Sequence, residues 1–121
     1  MSNMSCTEFE GVASELALGI LYGEERAAAL DHVETCRACR RELTLLTDAA
    51  DAIADRDAAA PVVAAMQVLP PEQRQALMAV TLYGLTAREL SEATHVPLGT
   101  AKSRIRLGLR RLREQLGVRT G

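Results

Sequence analysis

The stretch Y-G-L-T-A-R-E-L-S-E-A-T-H-V-P-L-G-T-A-K-S-R-I-R-L-G-L-R-R-L-R, Tyr83 to Arg113, decides how the rest of the chain is read. Thr86 and Glu89 have the spacing of a capping box, and Leu85 and Leu90 flank them as a hydrophobic staple. The helix they open is short, from about Ala87 to Ala93. Thr94-His95-Val96-Pro97 reads as a turn. A longer helix follows from Leu98 to Leu116, with Gly117 as its C-terminal stop. A short capped helix, a tight turn and a longer basic helix make the outline of a helix-turn-helix.

The long helix has two faces. Ala101, Ile105, Leu109, Leu112 and Leu116 recur at three and four and should face the core. Lys102, Arg106, Arg110 and Arg113 recur the same way on the neighbouring face, joined by Arg104 and Arg111. These six cations fall within twelve residues, with Glu114 the one acid nearby. That density suits a phosphate-binding surface. Charge alone would equally suit a solvated face, and it is the capped helix and turn that favour nucleic acid. Leu98, Thr100, Lys102 and Ser103 stand in the first turns, where a recognition helix meets the major groove. Upstream, L-P-P-E-Q-R-Q-A-L-M-A-V reads as a helix opened by Pro70 or Pro71. Ala76, Leu77, Val80 and Leu82 supply its buried stripe, and Gly84 stops it.

These blocks together resemble region 4 of the extracytoplasmic-function sigma factors, over about Val68–Gly117. The resemblance implies binding to a −35-like promoter element and to the β flap of RNA polymerase. It places Leu98, Thr100, Lys102, Ser103 and Arg106 towards the groove and Thr86 and Arg88 near phosphates. Arg104 and Arg110 join them as DNA-binding candidates on charge. Ala101 stands where the family usually has Val. No region 2-like segment is present, so a regulator is expected rather than a complete sigma factor.

The first half has a different character. Residues 1–60 carry 12 acidic and 5 basic side chains, net −7, whereas residues 61–121 carry 4 acidic and 9 basic, net +5. Two halves of opposite charge suggest two modules, with the acidic one able to compete for the basic surface. Within D-H-V-E-T-C-R-A-C-R-R-E-L, His32 and Cys36 are i and i+4 on one helical face, and Cys36 and Cys39 form a C-x-x-C step. Three N/S ligands at this spacing point to Zn2+, which takes four in a closed site. Cys6 is the nearest candidate for the fourth, with His95 as rival. A redox pair would expect a βαβ context that the pattern lacks. The flanking E-L-A-L-G-I-L and G-E-E-R-A-A-A-L blocks, read with the H-x-x-x-C-x-x-C motif, resemble the zinc-binding anti-sigma domain over about Thr7–Leu46. That resemblance carries the upstream ligand onto Cys6 and implies that a sigma factor is a partner.

Helical spacing begins near Thr7, and Phe9, Val12, Leu16, Ile20 and Leu21 are expected on one buried face. Gly23 breaks it, a second helix runs towards Val33, and a third runs from near Cys36 through Leu46. The Ala/Asp stretch after Ala49 suits a helix tail or tether, and Pro61 punctuates it. The expected organisation is a zinc module over 1–57, a linker over 58–67 and the helix-turn-helix over 68–121.

Ala, Leu, Glu and Arg dominate the 121 residues, with one Phe, two Tyr and no Trp. This predicts an all-α protein. No apolar run reaches membrane-spanning length. The N-terminus lacks the layout of a secretory signal, and three cysteines argue against a secreted disulfide framework, so a cytoplasmic location is expected. No Ser/His/Asp set or Gly-rich phosphate loop is present, and a fully ligated zinc leaves no open position, so an enzyme is not expected. The leading expectation is a zinc-dependent transcription regulator whose two modules contact each other. The alternative is an interaction protein that binds a separate sigma factor and no DNA.

Overall fold

The computed structural model describes residues 4–55, 57 and 59–117, and among them there is no strand. Seven helices follow in order: α1 Cys6–Ala17, α2 Gly23–Thr35, α3 Arg37–Ala54, α4 Ala59–Gln67, α5 Pro71–Thr81, α6 Ala87–Thr94 and α7 Leu98–Leu116. The all-α expectation holds.

Local chemistry sets most helix ends. Thr86 and Glu89 form the expected capping box: Glu89 N–H donates to Thr86 Oγ1 at 3.0 Å and Thr86 N–H to Glu89 Oε1 at 2.9 Å. Ser5 and Glu8 build a second box at the start of α1. Each satisfies donors that a helix start leaves without partners. Pro71 occupies the first turn of α5 and Gly117 ends α7. The turn between α6 and α7 places His95 in the left-handed region at φ 56°, and Ser91 Oγ donates to the Val96 carbonyl across it at 2.6 Å.

α7 is the hub. Ala101, Ile105, Leu109 and Leu112 are all fully buried, and one apolar cluster joins them to Leu77 of α5, Leu90 of α6, Leu46 of α3 and Phe9 of α1. The helix therefore packs on α5 and α6 from one side and on α1, α3 and α4 from the others. The two halves share a single core.

Three expectations need correction. Ile20 and Leu21 are not on the helix with Phe9 and Val12, because α1 stops at Ala17. Gly19 N–H donates to the Leu16 carbonyl and Ile20 N–H to the Glu15 carbonyl, with Gly19 at φ 75°. This paired closure is a Schellman motif, whose left-handed residue is easiest for glycine. Leu21 is still buried, but from the turn. Leu82 lies beyond α5 and is 68% exposed rather than part of its stripe. The stretch expected as a linker is mostly helix: α4 buries Val62 and Ala65, one turn apart. Pro61 does not prevent this, because it is the third residue of α4, where an N–H has no helical partner to lose.

α5 and α7 approach closely at Gly108. A Cβ there would stand 3.0 Å from Leu77 Cγ and 3.3 Å from the Gln73 carbonyl oxygen, whereas one at Gly99 would meet nothing within 4 Å. Leu77 is fully buried, so it would have to shift within the core to admit a methyl. Gly108→Ala should lower stability by about 1 kcal/mol or more in denaturant unfolding despite alanine's helix preference. Gly99→Ala should be neutral or stabilising, and equal effects would refute the close approach.

Candidate metal centre and candidate nucleic-acid interface

The first site forms where α1 begins and α2 meets α3. Cys6 is the first residue of α1, His32 lies in the last turn of α2, Cys36 caps α3 and Cys39 lies in its first turn. The corner between α2 and α3 is tight: Cys36 N–H donates to the His32 carbonyl at 3.0 Å and Arg40 N–H to the Cys36 carbonyl at 3.0 Å. Arg40 fastens it from outside, donating from Nε to the Val33 carbonyl at 2.9 Å and from a terminal nitrogen to the Glu34 carbonyl at 2.7 Å. Those oxygens belong to the last turn of α2, where carbonyls lack helical partners and a cation is favoured.

The four ligand atoms of Cys6, His32, Cys36 and Cys39 lie within 4.8 Å of one another and could hold one metal ion. Cys6 Sγ and Cys36 Sγ are 3.7 Å apart, and His32 Nε2 is 3.3 Å from Cys39 Sγ. Tetrahedral coordination at ordinary Zn–S and Zn–N lengths puts S···S at about 3.8 Å and N···S at about 3.5 Å, so these two pairs fit. The sulfurs are far outside disulfide distance, and all three cysteines are free. The Phe9 ring stacks on His32 with centroids 5.5 Å apart, adding an apolar wall. His95, the rival ligand, is in the α6–α7 turn and outside this cluster.

The electrostatics suit a cation. Burial, then the Cys36 and Cys6 sulfurs, pushes the Cys39 thiol up to about 12. The Cys39 backbone amide, then hydrogen bonding from the neighbouring thiols, lowers Cys36 to about 7. The neighbours thus favour a thiolate at Cys36 and oppose one at Cys39, and a dication at their centre would relieve that conflict, taking up thiolates and releasing protons. Reduced protein should bind one tetrahedral divalent metal per chain. Co2+ substitution followed by absorption should show thiolate coordination, which each of Cys36→Ser and Cys39→Ser should weaken strongly. A stoichiometry well below one would refute the site.

The second site is the cationic face of α7. Of the predicted DNA contacts, Thr86, Arg88 and Arg110 are exposed, while Leu98, Thr100, Lys102, Ser103, Arg104 and Arg106 are half-buried. Lys102 and Arg106 are met there by acids, the start of a row that the sequence alone did not single out. Lys102 Nζ lies 3.3 Å from Glu15 Oε1, Arg106 3.2 Å from Glu10, Arg110 3.4 Å from Glu42, and Arg113 3.6 Å from Asp48. The four cations occupy successive turns of α7. Glu10 and Glu15 come from α1, Glu42 and Asp48 from α3. The module-level charge asymmetry pointed to this meeting, but not to which acids make it.

The pairs differ in depth. The Lys102 and Glu15 side chains are only 22% and 12% exposed, and Glu15 Oε1 is buried with no hydrogen bond, so it depends on the nearby charge. Arg110 is 43% exposed. Lys102→Ala should therefore destabilise by about 1–3 kcal/mol by stranding a buried carboxylate. Arg110→Ala should cost under about 1 kcal/mol. Thermal unfolding of the two variants checks the ranking.

Comparison with known proteins bears on the second half. Residues 60–112 match the family model for Sigma-70, region 4. Over 47 residues the chain is 53% identical to the ECF RNA polymerase sigma factor RpoE of Cereibacter sphaeroides; the match covers 38% of this chain and 26% of that protein. The chain thus spans about a quarter of this curated relative. Neither match is to an enzyme. No solved structure matches. Among the described residues, no helix is long and apolar enough to cross a membrane.

Proposed function

We propose that this chain is a zinc-dependent transcription regulator: an anti-sigma-like module built around Cys6, His32, Cys36 and Cys39 covers the cationic face of a sigma region 4-like helix-turn-helix and controls its access to promoter DNA. The observation that carries this reading is the row of four ion pairs from Lys102, Arg106, Arg110 and Arg113 to Glu15, Glu10, Glu42 and Asp48. Cations placed to meet successive phosphates meet carboxylates instead. DNA and the acidic face then compete for the same atoms, and opening the contact exchanges carboxylates for phosphates with release of counterions. Three thiolates and an imidazole at tetrahedral spacing favour zinc among common ions. With four protein ligands the metal has no open position, so its part is structural.

A polymerase contact fits the same reading. A groove of roughly 490 Å³ between α5 and α6, lined by Pro71, Met78, Tyr83, Leu85 and Leu90 among others, stays open in the closed arrangement. Tyr83, 72% exposed, stands at it, with the exposed Leu82 next in sequence. The β flap of RNA polymerase is the partner that the region 4 likeness suggests. The regulator would then reach polymerase with its DNA surface still covered, and its place of action is the cytoplasm.

The test uses the full chain. A Glu10→Gln/Glu15→Gln/Glu42→Gln/Asp48→Asn variant should bind a −35-like duplex more tightly than the parent at low salt. Four pairs at about 0.2–1 kcal/mol each predict a gain of at least about fourfold. Unchanged affinity would sink the competition between acidic face and DNA.

A further inference from the structure

The ionic cover on α7 is divided between two helices, and only one of them owes its position to the metal cluster through a single residue. Glu10 and Glu15, which hold Arg106 and Lys102, both lie on α1. Glu42 and Asp48, which hold Arg110 and Arg113, both lie on α3. The division follows the axis of α7: α1 covers its first half and α3 its second.

The two helices are anchored differently. α1 has 12 residues, short enough to be marginal as an isolated helix. Its fixed points are its packing on α3 and α7, through Phe9, Val12, Ala13 and Ser14, and one candidate ligand, Cys6, at its first position. Phe9, three residues after Cys6, stacks on the ligand His32, so even part of the apolar contact rests on the metal cluster. α3 has 18 residues and carries its two ligands, Cys36 and Cys39, at one end, tied down also by Arg40. Its acids lie further along, beside the buried Leu46 and Ala49. Losing ligation at Cys6 would remove the one polar tie at the start of α1, whereas α3 would keep both of its ligands and the Arg40 clamp.

We infer that the metal cluster, acting through Cys6, selectively gates the N-terminal half of α7: release of Cys6 uncovers Lys102 and Arg106 while Glu42 and Asp48 still hold Arg110 and Arg113. This staged release rests on the competition between acidic face and DNA proposed above and specifies how it is regulated. The half uncovered first contains Leu98, Thr100, Lys102 and Ser103, the turns that a recognition helix sets against base edges. The partly opened chain therefore meets nucleic acid with the base-reading end of α7 and keeps part of its phosphate-binding end covered.

The experiment compares the zinc-loaded full chain with Cys6→Ala, which leaves His32, Cys36 and Cys39 in place. Hydrogen exchange should quicken tenfold or more in α1 and stay unchanged in the part of α3 beyond Leu46. The slope of log affinity for duplex DNA against log salt should steepen by about 1.8, the value for two additional phosphate contacts. Adding Glu42→Gln/Asp48→Asn should steepen it by about 1.8 again. The inference is overturned if α1 and α3 quicken together, if α1 does not respond, or if Cys6→Ala alone steepens the slope by the roughly 3.6 expected for four contacts. Selective quickening of α1 without any change in slope would overturn it too. The four-acid variant separates the premises. If that variant gains no DNA affinity, the competition fails. If it gains affinity while Cys6→Ala opens both helices at once, only the staged release fails.

Discussion

Everything in this fold is arranged around α7, a helix asked to serve two surfaces one residue apart. Ala101, Ile105, Leu109 and Leu112 are fully buried, and Lys102, Arg106, Arg110 and Arg113 begin one position later. A successive residue on a helix is turned by about 100°, so whatever covers the apolar ridge necessarily approaches the cationic stripe. A helix placed against that flank must present acids or bury cations without partners, and the second option costs several kcal/mol. The acids on α1 and α3 answer that constraint. Apolar burial holds the two halves together, and the ion pairs, individually weak, fix which face is covered.

Much of this was legible before any coordinates. The capping box at Thr86, the bounds of α7 and its two faces follow from side-chain type and spacing, which are local properties. The meeting of His32, Cys36 and Cys39 was legible for the same reason. Cys6 required a guess about how α1 returns to α2, and its thiol does reach the cluster. What could not be read depends on helices crossing. Glu10 and Glu15 look like ordinary solvated acids until α7 lies beside them, and Arg40 looks like one basic residue among several until the α2–α3 corner supplies two carbonyls. The end of α1 was misplaced because apolar spacing at Leu16, Ile20 and Leu21 runs on through a Schellman closure. Pro61 has the look of a boundary in sequence but sits inside the first turn of α4.

α2 shows why a Cys/His cluster lies where it does. Its one buried residue is Ala29, so it contributes almost nothing to the apolar core. A 13-residue helix with only Ala29 buried and Val33 packed against the core has little packing to hold it. Its position also draws on contacts at one end: His32 beside the Cys39 thiol, Phe9 against the imidazole, and Arg40 on the last carbonyls. Its other end opens with Glu24 and Glu25, which favour the helix start but touch no core. The cluster thus replaces a hydrophobic face that the sequence never provides. The arrangement also makes α2 expendable for covering α7, since none of the four acids belongs to it. The candidate metal site therefore lies beside the ionic contact, and two helices belong to both: α1, opening on Cys6 and carrying Glu10 and Glu15, and α3, carrying Cys39, Glu42 and Asp48.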